Sequence, residues 1–219
     1  MDPEKLIESL LLGENLKSLP RIGWLLAGIG RDASESVASH SWGVSYIALV
    51  LADTLIKEGV HINTQDVLIM AVIHDLPEAV LSDIPRRDGG AWDDLQVAKH
   101  SVEQEVMDRL TRAGLDSDMI RRSWKALSER AATETRVVHA ADVLDMLLHG
   151  IVLLRRGTNP ALLRQFFESG VSRLTELEIR PAIELGEYLF KMYESFTFRG
   201  SGAQGEIPTN RSGKDTRNP

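Results

Sequence analysis

"AVIHDLPEAVLSDIP", residues 71–85, decides how this chain is read. It continues an apolar helical run, then sets His74 and Asp75 side by side, with Glu78 and Asp83 close behind. Charged groups are costly to bury unless something compensates them. Either the stretch faces water or a cation gathers these groups. On a regular helix neighbouring residues project about 100° apart. His74 and Asp75 therefore reach one ion only where the helix ends, and Pro77 supplies that break.

The flanks are helical. Thr64 reads as the N-cap of the preceding helix, in which Val67, Leu68, Met70, Ala71 and Val72 leave almost no polar face. Such a helix belongs in the centre of a core. Upstream, Ser36 to Lys57 carries a broad apolar face (Val37, Val44, Ile47, Ala48, Val50, Leu51, Leu55), and Gly59 marks the stop. Residues 3–12 fit a short amphipathic helix. Pro20 and Gly23 predict a turn and a short helix ending at Gly28 or Gly30. Downstream, "DIPRRDGGAWDD" reads as a loop, and Asp93 to Ala113 as an exposed amphipathic helix. Asp116 or Ser117 caps a helix running through Glu129, Ala131 to Arg155 forms another, and two shorter ones fit 160–169 and 180–195. Residues 199–219 are rich in Gly, Ser, Asn and Pro and predict a disordered tail. The sequence holds no internal repeat and no convincing strand pair. The expected fold class is all-α: a single helical domain over 1–198 followed by a disordered C-terminal tail.

Composition narrows the function. The 219 residues are 43% hydrophobic, enough for one buried core. A net charge of −7 argues against a nucleic-acid partner, which needs excess Lys and Arg. Cysteine is absent, which excludes disulfides, thiolate ligands and a Cys nucleophile. The start "MDPEKLIESL" is acidic and amphipathic, unlike a secretory signal. No apolar run approaches the roughly 18 residues of a membrane span. A soluble cytoplasmic protein with no membrane partner is the expectation.

Four residues are candidates for one metal site: His40 early in the long helix, His74 and Asp75 at the end of the buried one, and Asp142 within the apolar "HAADVLDMLLHG". Taken singly, each has a plain explanation, a core histidine or a capping aspartate. Together they offer two imidazoles and two carboxylates. That mixed set suits Mn, Fe, Co, Ni or Zn better than Ca, and the expected cofactor is a divalent metal ion from that group or Mg. Four protein ligands around a six-coordinate ion leave room for a water and a substrate oxygen, as hydrolysis requires.

Four motifs in order carry a resemblance: "RIGW" (21–24), "ESVASHSW" (35–42), "HDLPEAVLSDIP" (74–85) and "ADVLDM" (141–146). Over roughly residues 15–150 the chain resembles the HD-domain metal-dependent phosphohydrolases, and within them the 5′-deoxynucleotidase branch. The resemblance implies an HD-domain helical bundle. It also implies metal ligation by His40, His74, Asp75 and Asp142, a catalytic carboxylate at Glu78 with Asp83 as acidic helper, a phosphate contact at Arg21 and a nucleoside-pocket wall at Trp24. Departures are Ser39 where the branch favours Glu, Ser82 where it favours Gly, and His139, Ala140 and Val143 in the third motif. They affect metal and substrate choice rather than fold.

The implied reaction is hydrolysis of deoxyribonucleoside 5′-monophosphates, a small-molecule nucleotide substrate. Two alternatives stand beside it: a hydrolase of another nucleotide, triphosphate or signalling, and an inactive domain that binds a nucleotide or protein partner. Among the remaining residues, Glu35 reads as a capping or first-turn charge, or else as a residue lining the pocket, and Asp145 as a neighbour of the metal or of an Arg. His139 is a possible companion of Asp142, and Arg86 and Arg87 are loop charges with a possible phosphate role. Trp42, Trp92 and Trp124 read as packing residues, and His61, His100 and His149 as incidental. Apolar positions on the later helices, including Phe166, Phe167 and Phe190, belong to the core or to a homodimer contact.

Overall fold

The computed structural model describes residues 2–85, 91–113, 117–129 and 131–201. The described residues form helices and no strand; one isolated antiparallel bridge joins Pro20 to Ser36. The helices are α1 (Pro3–Glu14), α2 (Ile22–Leu26), α3 (Val37–Lys57), α4 (Thr64–Ile73), α5 (Glu78–Leu81), α6 (Ala91–Ala113), α7 (Asp118–Glu129), α8 (Thr133–Arg155), α9 (Arg164–Leu177) and α10 (Arg180–Ser201). Short 3₁₀ turns at Asn15–Lys17 and Pro160–Leu162 lead out of α1 and into α9.

The core forms where α8 crosses α3, α4, α9 and α10. Val44, Ala48, Leu51 and Leu55 recur at helical spacing on α3, and Val137, Ala141, Leu144, Leu147 and Ile151 answer them from α8. Val67, Met70 and Ala71 of α4 complete this layer. Fully burying a side chain of this size contributes about 1.5–3 kcal/mol. Contrary to the sequence expectation, α8 is long and apolar enough to cross a membrane. Yet 61% of its apolar window is buried inside the fold, as befits a central helix.

Helix boundaries shift for local reasons. Asn63, not Thr64, caps α4: its side chain accepts from the N–H groups of Gln65 and Asp66, and Thr64 is the first helical residue. Ser117 caps α7, its Oγ accepting from Ile120 N at 3.4 Å; Asp116 lies outside the described residues, as do Arg86 and Arg87. The helix predicted over 160–169 begins later and runs on through Gly170. A Cβ at Gly170 would stand 2.8 Å from Leu147 Cδ2, and one at Gly150 2.9 Å from Phe167 Cε2. The two glycines thus let α8 and α9 approach closely, and Gly170 serves packing instead of ending the helix. α10 extends through Ser201, so the first residues of the predicted tail are helical; the rest lie outside the described residues.

Two features carry the chain to the site. Arg21 N donates to Glu35 O at 3.0 Å and Val37 N to Leu19 O at 2.8 Å, pinning the segment before α2 beside the start of α3. α4 ends at Ile73 and the chain turns tightly through His74–Pro77 into α5.

Candidate metal centre and its cavity

His40 lies one turn into α3, with a fully buried side chain. Its Nδ1 is 2.7 Å from Asp145 Oδ2, and its Nε2 is 3.2 Å from Asp142 Oδ1. His74, at the break after α4, places Nδ1 2.8 Å from the carbonyl of Ala71 and Nε2 3.2 Å from Asp75 Oδ2. Asp75 Oδ2 also lies 3.7 Å from His40 Nε2. The ligand atoms of His40, His74 and Asp142 fall within 4.8 Å of one another, and Asp75 closes the group. The adjacency at 74–75 works because the helix has ended there.

This centre fits a divalent cation. Both Nε2 atoms are buried without a hydrogen-bond partner, and both face carboxylates. Each Nδ1 is held from behind, by Asp145 or by the Ala71 carbonyl, which fixes the ring orientation a ligating histidine needs. Burial and Arg21 act to lower the His40 pKa. The facing Asp142 and Asp145 carboxylates outweigh them and push it up to about 10. Burial acts to raise the Asp75 and Asp142 carboxyls, but the facing imidazoles and guanidiniums hold both well below the usual range.

Arg21 enters from the α2 side. Its Nη1 is 3.2 Å from Asp75 Oδ2 and 3.8 Å from Asp83 Oδ1, and its Nη2 is 4.0 Å from Asp142 Oδ1. Asp83 is buried and accepts from the backbone N–H of Ile22 at 2.5 Å, so it anchors the segment that carries Arg21. Glu78, 2% exposed, meets Lys99 of α6 at 3.1 Å through Oε1, while Oε2 is buried without a hydrogen-bond partner. Burial pushes the Glu78 carboxyl up to about 9, helped by Asp75 and Asp83 and opposed by Arg21 and Lys99.

Trp24 is 2% exposed. Its ring is covered by Phe166, stacked at 4.4 Å and 25°, and its Nε1 donates to Glu35 Oε1 at 3.3 Å. Beside this stack Phe166 is the less buried ring, and Trp24 supports it from beneath. Glu35 is therefore not a simple capping charge, nor is His149 incidental: His149 Nδ1 sits 3.6 Å from Glu35 Oε2, next to the Trp24 ring. His139 lines the cavity near Asp142. Trp124 is a core residue, as expected, with Nε1 donating to Gln104 at 3.1 Å. Trp42 is not: it is 71% exposed and stacked on Tyr46. Nothing is described of the Trp92 side chain.

His74, Asp75 and Asp142 line an open cavity of about 800 Å³ between α2, α5, α6, α7, α8 and α9, with His40 buried behind them. Sequence reasoning missed two of its residues: Lys99 of α6, which meets Glu78, and Arg173 of α9, whose Nη2 is 3.5 Å from Asp142 Oδ2. The position of Arg173 depends on how α9 packs across α8, which no local pattern records.

Fold and site together define a class: an all-α domain in which two imidazoles and two carboxylates, from three helical segments, converge beneath one cavity. Comparison places it further. Residues 13–177 match the family model described as HD domain, and the chain belongs to that family. It is 27% identical over 177 residues to the 5′-deoxynucleotidase HDDC2 of Bos taurus, covering 80% of each chain. It is 26% identical over 180 residues to the Danio rerio protein of the same name, covering 80% of this chain and 83% of that one. The crystal structure of the PH0347 protein from Pyrococcus horikoshii OT3 superposes with a TM-score of 0.71 at 33% identity, over 85% of this chain and 99% of that one.

Proposed function

We propose that this chain is a metal-dependent 5′-deoxynucleotidase that hydrolyses deoxyribonucleoside 5′-monophosphates to deoxynucleoside and phosphate. The observation that carries the reading is the pair of buried, unpartnered Nε2 atoms of His40 and His74, facing Asp75 and Asp142 beneath a cavity that also holds Arg21 and Glu78. The 5′-deoxynucleotidases similar to it over 80% of its length supply the substrate class.

His40, His74, Asp75 and Asp142 would hold the cation. Bound there, a divalent ion such as Mn, Fe, Co, Ni, Zn or Mg supplies Lewis acidity and offsets the charge of the phosphoryl group. The protein's own groups do the rest. Arg21 receives phosphoryl oxygens on a planar fork of donors. Asp83 positions Arg21 and, being engaged with Ile22 N–H, acts through it. Glu78, whose protonated form burial favours, gives its proton to the 5′-oxygen as the P–O bond breaks and water adds to phosphorus. The proton released from that water restores the carboxyl. Lys99 orients Glu78.

We place the enzyme's action on free nucleotides in the cytoplasm, in keeping with a net charge of −7, which disfavours a nucleic-acid partner. The testing experiment is phosphate release from a panel of nucleoside mono-, di- and triphosphates, by chelated protein with Mn, Co or Mg restored. Metal-dependent release confined to 5′-monophosphates supports the proposal. Release from triphosphates alone, or none at all, overturns it.

A further inference from the structure

Helix α9 carries two stripes side by side. Leu163, just before it, with Phe167, Gly170 and Leu174, is buried in the core. Phe166, Ser169 and Arg173, at i, i+3 and i+7, form the adjacent stripe; all three are partly buried and line the cavity. The ends of this second stripe differ in chemistry. Arg173 stands at the metal centre, Nη2 3.5 Å from Asp142 Oδ2, while Arg21 approaches the other oxygen of the same carboxylate at 4.0 Å. Phe166 stands at the opposite end, its ring held flat by Trp24. A rise of 1.5 Å per residue puts Phe166 about 10 Å and Ser169 about 6 Å from Arg173 along the helix axis.

We infer that α9 reads the substrate along its length, with Arg173 on the phosphate, Ser169 beside the sugar and Phe166 under the base. The inference rests on the nucleotidase reading. A nucleotide presents anion, hydroxyl-bearing ring and flat aromatic base in that order, and the stripe presents guanidinium, hydroxyl and phenyl in the same order. Two guanidiniums on one carboxylate exceed what it needs once a cation shares it, which leaves a fork for phosphate oxygens. A rigidly backed phenyl ring suits stacking, which tolerates any base.

The test uses the full chain loaded with Mn, dAMP as substrate and inorganic phosphate as a separate probe. R173Q should weaken inorganic phosphate, measured by calorimetry, about tenfold and raise the KM for dAMP to match, with R173K recovering part of both. F166L should leave phosphate affinity unchanged, raise the KM for dAMP about tenfold and alter the preference between dAMP and dCMP; F166A should do the same more strongly. If R173Q lowers only Mn affinity while phosphate binds as in wild type, Arg173 serves Asp142 alone and the inference falls. It falls equally if both Phe166 variants keep the wild-type KM and base preference. A wild-type protein that frees no phosphate from any deoxynucleoside monophosphate overturns the functional reading instead, and phosphate calorimetry on R173Q still decides Arg173.

Discussion

His40 and Asp145 meet at 2.7 Å, ring Nδ1 to carboxylate oxygen, across 105 residues of sequence. Asp145 lies one turn after Asp142 on α8, so a single helix presents one carboxylate to the front of the imidazole and another to its back. The approach depends on Gly43: a Cβ there would fall 2.0 Å from Asp145 Oδ1.

Removing that support should loosen the metal. Asp145→Ala is expected to weaken divalent-cation binding about 10–100-fold, the usual cost of losing a partner behind a ligating histidine. Gly43→Ala, which must displace the same carboxylate, should shift affinity in the same direction. Metal titration of the chelated variants measures both.

The His40 pKa of about 10 means that the ring is protonated at neutral pH and must lose that proton to ligate a cation. Metal uptake should therefore release protons, and affinity should rise with pH from neutrality toward that value. Calorimetry in buffers of differing ionisation enthalpy reads the proton count; His40→Ala should lower it.

Ser82 follows α5 with φ 66 and ψ 164, a region of backbone space that is nearly reserved for glycine. Such a residue costs roughly 1–3 kcal/mol, against about 0.5–1 kcal/mol of extra chain entropy for Gly. Ser82→Gly should thus stabilise the protein by about 1 kcal/mol, raising Tm by roughly 2–4 °C for a domain of this size. Thermal unfolding of the two proteins compares them directly.

Replacing Glu78 should act in opposite directions on stability and catalysis. Its folded pKa of about 9 exceeds the ordinary value of 4.5, so the folded state keeps a proton that the unfolded chain releases between those values. Its contribution is therefore lost as pH rises through that window. Glu78→Gln, which needs no proton, should raise the Tm of the chelated protein at pH 8 relative to wild type. The same variant should lower kcat about 10²–10⁴-fold with metal content unchanged.

Much of this was legible in the sequence, and the rest was not for identifiable reasons. The α3 periodicity of Val44, Ala48, Leu51 and Leu55 needs only local spacing, and the structure retains it. His40, His74, Asp75 and Asp142 each interrupt an apolar stretch, the family resemblance implies that they share one cation, and they lie together. Asp145 was ambiguous because its partner sits on another helix. The resemblance implies a pocket wall at Trp24, and the ring that stacks on it there, Phe166, comes from α9, out of reach of any local motif. Arg173 left no local signal, since its place depends on Gly150 and Gly170 drawing α8 and α9 together. The helix expected over 160–169 runs on to Leu177 because Gly170 admits Leu147 of α8, a contact that no local pattern shows.

The central claim is that one divalent cation, held by His40, His74, Asp75 and Asp142, is what phosphomonoester hydrolysis depends on. The most direct measurement titrates the chelated protein with Mn while following both bound metal and phosphate release from a deoxynucleoside 5′-monophosphate. The expected result is background release without metal, recovery that saturates at one ion per chain, and no recovery in Asp142→Ala. Undiminished release from protein shown to be metal-free, or full recovery in Asp142→Ala, would contradict it.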